Sequence, residues 1–120
     1  MAPKLFLKWS EFCNTIHTSL GRLRETDDFA DVTLACENGH QVEVHKVILA
    51  ASSPFFKRLL EKNQNPHPLL FLMGVKMVQL KQLVSYIYLG KCDLTQEQLP
   101  AFMAIGKQLE IEGVGREQGM

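Results

Sequence analysis

Hydrophobic and polar positions change their spacing along the chain. From Ala30 to Phe56, Val32, Leu34 and Cys36 alternate with Thr33 and Ala35, and Val42 and Val44 alternate again after Asn38-Gly39. A period of two marks a strand, and Asn-Gly supplies the positive φ angles that a tight hairpin turn requires. The hairpin runs into His45 to Ala51, a short apolar segment of good helix formers. Ser53-Pro54 then restarts the chain, since Ser suits an N-cap and Pro the first helical turn. The predicted order is strand, strand, helix, helix.

Upstream, Leu5, Leu7 and Trp9 alternate with Phe6 and Lys8, a short terminal strand with three large apolar groups on one side and a need for a partner. Ser10 suits a cap for the next segment, where Trp9, Phe12, Cys13, Ile16, Leu20 and Leu23 recur along one helical stripe. Gly21 weakens its last turn. Arg22, Arg24, Glu25, Asp27 and Asp28 read as a solvated polar stretch before the hairpin. Downstream, residues 61–68 are polar with two prolines and predict a loop. Leu69-Leu70-Phe71-Leu72 predicts a strand buried on both faces, joined to the hairpin sheet through the intervening helices. Val78, Leu80, Leu83, Val84, Ile87, Tyr88 and Leu89 cover more than half of a deeply placed helix that stops at Gly90. Lys91 to Leu94 is long enough only for a strand fragment. Thr95 and Gln98 form a capping box for a helix to about Glu110, with Leu99, Phe102, Met103 and Leu109 on its apolar face. Gly106 in that face costs roughly 0.5 to 1 kcal/mol relative to Ala, tolerable if it lets another helix approach closely.

The 120 residues, 46% hydrophobic, suit one domain over 1–120 with its core at about 5–114 and no linker. Thirteen basic residues balance thirteen acidic ones, so no summed positive field draws phosphate backbones, and direct nucleic-acid binding is disfavoured. Cys13, Cys36 and Cys92 are far apart and show no C-x-x-C spacing, which fits reduced thiols inside a cell. The apolar runs fall well short of a membrane span, and the N-terminus lacks a signal-peptide apolar region, so a soluble intracellular protein is expected.

Candidate chemistry is sparse. Asp31 with His45, or Cys13 with His17 one turn later, would begin an enzyme or metal reading. A His between strand and helix is more often a packed, hydrogen-bonded structural residue, and a structural zinc needs four ligands where no second pair is visible. Phosphate loops, nucleophile elbows and zinc-protease helices are absent. No catalytic residue, cofactor or metal ligand is predicted. Asp31 and Lys46 form the more informative polar pair, because each sits beside apolar core positions.

Asp31-Val32, His45-Lys46 and Leu49-Ala50-Ala51-Ser52-Ser53-Pro54-Phe55-Phe56 together resemble the BTB/POZ domain. Asn65-Pro66-His67-Pro68 and Gln96 to Phe102 are similar to its Tramtrack-type subgroup of insect transcription and chromatin regulators. The resemblance covers nearly the whole chain. It implies an α/β fold of the α+β type, a three-stranded sheet flanked by helices, with an exchanged N-terminal strand and obligate homodimerisation. It places dimer contacts at Phe12, Cys13 and Ile16 in the first helix and at Val47, Ala50 and Ala51 after the hairpin. Leu5, Leu7 and Trp9 would cross to the other subunit and pair with Lys91, Cys92, Asp93 and Leu94. Asp31 and Lys46 would form a charged pocket near the dimer centre. The expected function is a nuclear self-association module that forms homodimers and higher multimers, with other BTB domains and co-regulators as further partners and no membrane. The chain departs from the subgroup's Phe-x-Leu-x-Trp-Asn at Leu5 and Ser10. Leu59-Leu60-Glu61 carries the alternative reading, a substrate adaptor for a cullin-type ubiquitin ligase. The short run after Gly113 weighs against that alternative, since such adaptors extend into further helices.

Overall fold

The computed structural model describes residues 2–114. Five α-helices surround a three-stranded sheet: α1 (Phe12–Thr26), β1 (Val32–Ala35), β2 (Gln41–Val44), α2 (Lys46–Ser52), α3 (Pro54–Glu61), β3 (Leu69–Phe71), α4 (Met77–Leu89) and α5 (Leu99–Gln108). The strand order is β2-β1-β3, with β2 antiparallel and β3 parallel to β1. The hairpin forms as its pattern requires. Val32 faces Val44 and Leu34 faces Val42, and a three-residue turn, Glu37–Gly39, closes it with Asn38 at φ 68° and Gly39 at φ 78°.

Sheet order corrects two expectations. As the central strand, β1 is buried on both faces rather than alternating in and out. Leu69 to Phe71 is an edge strand with Leu69 and Phe71 half in solvent, not a strand buried on both faces. A parallel connection needs a crossover, which α2 and α3 provide, and it delivers β3 to the free side of β1. Thr33, polar but buried in β1, donates to Glu43 across the hairpin at 2.9 Å and lies 3.0 Å from His67 Nε2.

Local signals explain most helix ends. Ser53 Oγ accepts the Phe56 N–H at 3.1 Å and donates to the Leu109 carbonyl at 2.6 Å, so one buried hydroxyl starts α3 and ties it to the segment after α5. Gly90 ends α4 in the left-handed region at φ 76°. Thr95 and Gln98 exchange the two bonds of a capping box, and α5 follows from Leu99, stopping at Gln108. At α1 the expectation fails. Ser10 lies in a turn, and the N-cap position is Glu11, with no side-chain cap. The helix also runs through Gly21 to Thr26, taking in Arg22, Arg24 and Glu25. Gly21 is accommodated because α1 crosses α4 there: a Cβ would lie 3.3 Å from Leu89.

The core gathers Val32, Leu34, Val44, Leu49, Phe56, Leu80, Leu83, Val84 and Phe102 between sheet and helices. Val78, placed in that core by periodicity, is exposed in the first turn of α4. Gly106 does permit a close approach, but by Val114 rather than by a helix, since a Cβ would fall 2.1 Å from Val114 Cγ1. Residues 5–9 and 91–94 form no strand among the described residues. Of the run after Gly113, residues 115–120 lie outside the described residues.

Candidate interaction surface

Helix α1 is amphipathic, yet none of its residues is buried. Its C-terminal half rests on α4, while Phe12, Cys13 and Ile16 in its first two turns stay exposed. Trp9 stacks edge-on against Phe12 with ring centroids 5.2 Å apart and is itself exposed. The segment before it is more open still, with Leu5 93% and Leu7 96% exposed. An apolar helix face and an apolar tail without cover mark an interaction surface, since single soluble chains rarely leave such patches free.

A second group gathers at the start of α2. Asp31, Lys46, Val47 and Ala50 line a depression of about 400 Å³ with Lys57, Leu60 and Glu61. Within one chain, however, Asp31 and Lys46 do not form the expected side-chain pair. Asp31 Oδ1 accepts the Lys46 backbone N–H at 2.7 Å, and Lys46 Nζ donates to the Asn65 carbonyl at 3.3 Å. Asp31 thus does the work of an N-cap from the position just before β1, because His45, at the cap position, makes no side-chain cap bond. Replacing Asp31 by Ala is therefore expected to cost about 1 kcal/mol in chemical unfolding through the lost cap, and Lys46→Met less than about 0.5 kcal/mol. A larger loss for Lys46→Met than for Asp31→Ala would mean instead that the two charges meet across subunits.

His45 is committed to structure. Its Nε2 lies 2.7 Å from the Asp28 carbonyl and must donate there, leaving Nδ1 to accept from the Tyr88 hydroxyl at 2.6 Å. The same hydroxyl accepts the His45 N–H at 2.9 Å. Burial pushes the Tyr88 phenol up to about 12, partly offset by that backbone N–H. Cys13 and His17 are both exposed on α1, and among the described residues no three His, Cys, Asp or Glu side chains are placed to hold a metal. The three cysteines are free thiols, with Cys36 and Cys92 raised chiefly by burial and secondarily by the charges of Glu37 and Asp93.

Lys91, Cys92 and Leu94 line a different hollow, about 270 Å³, formed with Tyr86, Leu99, Phe102 and Met103, and Asp93 between them is exposed. The predicted contact residues therefore fall on three sites in one chain: the tail with α1, the start of α2, and this hollow. Two surfaces went unread in the sequence. Leu59, Leu69, Phe71 and Met73 border an apolar groove of about 320 Å³ at the β3 edge, hidden because the Leu69 run resembled buried strand. Phe29, an aromatic directly after the acidic run, is 83% exposed. That placement was its available signal.

Exposed apolar faces on a small mixed sheet wrapped by helices define a protein-interaction domain. A family model described as the BTB/POZ domain matches residues 20–118, and the chain belongs to that family. It is 41% identical over 111 residues to Longitudinals lacking protein-like of Drosophila melanogaster, covering 92% of this chain and 87% of that protein. It is 40% identical over 113 residues to Protein abrupt of the same fly, 94% of this chain but 12% of that protein. Such relatives place it with the Tramtrack-type insect regulators. The BTB domain of zebrafish PATZ1 shares the fold with a TM-score of 0.80 at 20% identity, over 92% of this chain and 91% of that one. The BTB domain of human gigaxonin does so at 0.76 and 22%, over 91% and 89%. As a BTB/POZ domain, the chain is of a kind that generally self-associates and binds other proteins, a non-enzymatic role.

Proposed function

We propose that this single BTB/POZ unit, spanning 1–120, serves a nuclear transcription or chromatin regulator by self-association. In this reading it forms homodimers and then higher multimers, and meets other BTB domains and co-regulators. The observation that carries the reading is α1, a fifteen-residue amphipathic helix with no buried residue and with Phe12, Ile16 and the adjoining Trp9 exposed. A second copy offers the same apolar face and so supplies the missing cover, as two-fold interfaces do. Val47, exposed on α2, and the depression beside it extend the surface. Holding several copies together raises the avidity of weak contacts made elsewhere without new contact chemistry. Light scattering on a dilution series tests the reading: the chain is expected above monomer mass at tens of micromolar, and a monomer there would end it. Balanced charge leads to the companion expectation of no measurable duplex DNA binding at physiological salt, checked by fluorescence anisotropy.

The adaptor alternative draws on Leu59, which is partly exposed and borders the β3 groove. Glu61 instead lines the depression by α2 and is held by Lys57 at 2.7 Å, so the two residues of the apolar-x-Glu pattern open onto different sites. A cullin pulldown separates the readings.

A further inference from the structure

Strand β3 ends the sheet order and, among the described residues, pairs with β1 alone. On that side Thr33 N–H donates to the Pro68 carbonyl at 3.0 Å and Leu72 N–H donates to the Ala35 carbonyl at 2.8 Å. Main-chain groups point alternately to the two sides of a strand, so Leu69 and Phe71 turn their N–H and C=O groups away from β1. The free edge carries no guard. Leu69-Leu70-Phe71-Leu72-Met73 contains neither a charge nor a proline of the kind that usually keeps an edge from pairing. Leu69 and Phe71 stand half in solvent, and Met73 is exposed.

Beyond this edge lies the groove of about 320 Å³, whose far wall is Phe55 and Leu59 of α3 with Ile105 and Leu109 at the end of α5. No residue of β1 or β2 lines it, so it opens on the free side of β3. Among the described residues Gln108 is the one polar side chain in its lining, and none is charged. The charges next in sequence to Leu59 and Leu109 are Arg58 and Glu110, which neutralise each other at 2.9 Å. We propose that the β3 edge and this groove bind an extended, uncharged apolar segment of another protein by strand addition. Its main chain pairs with Leu69 and Phe71. Its side chains alternate between the two faces of the sheet, one set entering the groove against Phe55, Leu59 and Ile105, the other lying beside Leu69 and Phe71. The occupant must be extended, because a helix spends its own main-chain groups internally and has none to offer the edge. It must be uncharged, because the lining offers a buried charge no partner. A second copy's β3 does not fit: two-fold pairing of the edges would set hollow against hollow and fill neither. No residue of the tail, α1, α2 or 91–94 lines the groove, so it is independent of the self-association surfaces.

A display library of short random peptides, selected on the full chain, provides the test. Uncharged apolar sequences are expected to be enriched. Made as synthetic peptides, they should bind roughly tenfold or more weakly to Leu59→Lys, which sets a charge at the groove mouth, and to Phe71→Pro, which removes an outward N–H. N-methylation of the peptide backbone is a second readout on the wild-type chain, and it decides the matter if either variant fails to fold. Methylating the alternate amides that face the edge is expected to abolish binding, and methylating the intervening ones to change it less than about twofold. Loss without that alternation would mean a helical or irregular occupant and overturn strand addition. So would a selection that yields no peptide sensitive to the variants. Light scattering keeps the result apart from self-association, since both variants are expected to keep the wild-type mass. A lower mass would give the groove to a second copy and overturn the proposal. A monomeric wild type that still shows the alternation would overturn self-association and uphold strand addition.

Discussion

Replacing Tyr88 by Phe is expected to destabilise the protein by on the order of 3 kcal/mol. The phenol oxygen is the partner of two buried groups, the His45 backbone N–H and the His45 Nδ1. Phe keeps the ring and its edge-on contact with His45 but strands both groups, and each orphaned buried group costs roughly 1 to 3 kcal/mol. The damage should spread, because the same imidazole holds the Asp28 carbonyl and with it the turn into β1. Denaturant unfolding measures the loss, and a change below about 1 kcal/mol would mean that water replaces the hydroxyl. A pH signature accompanies it. The folded phenol titrates at about 12 against the ordinary 10, so the folded state keeps its proton where the unfolded state has lost it. The stability contributed by this group is complete below pH 10 and falls as pH rises towards 12, and Tyr88→Phe should flatten that part of the alkaline slope.

Removing residues 1–8 is expected to reduce multimers to dimers. The tail presents Leu5 and Leu7 almost fully to solvent, and fully covering such a side chain contributes about 1.5 to 3 kcal/mol. Crossing to another subunit would extend a sheet there and leave an edge with unpaired backbone groups, to which an equivalent edge from a neighbouring dimer can add. A closed ring of dimers satisfies every such edge, so hexamers or a similar closed multimer are expected of the intact chain. The α1 and α2 faces are retained in the truncated chain, which is why dimers should persist. Light scattering coupled to size exclusion reads both masses. An intact chain that is strictly dimeric at tens of micromolar would refute the multimer and leave the dimer, whereas Leu5→Asp with Leu7→Asp should mimic the truncation.

What the sequence determined by itself are the features satisfied within a few residues. Asn38-Gly39 turns the hairpin, Ser53 and Pro54 start α3, Gly90 stops α4, and Thr95 with Gln98 precedes α5, each through bonds or dihedrals closed inside one turn of chain. The apolar stripe of α1 was legible for the same reason, although its roles at Phe12, Cys13 and Ile16, like those of Val47 and Asp31, came through family resemblance. Tertiary structure alone decided what depends on partners far along the chain. A run such as Leu69 to Phe71 reads alike at a sheet's centre and at its edge, and pairing with β1 on one side only made it an edge. Gly106 required a close neighbour, but which one depended on the chain turning back at Glu110 to bring Val114 against it. Asp31 looked like half of a charge pair until the fold set its carboxylate against a backbone N–H fifteen residues on. Tyr88 reads as one more apolar position of α4, because the group it satisfies lies 43 residues away. Local codes are short-ranged bonds, whereas burial and pairing are properties of where distant segments meet.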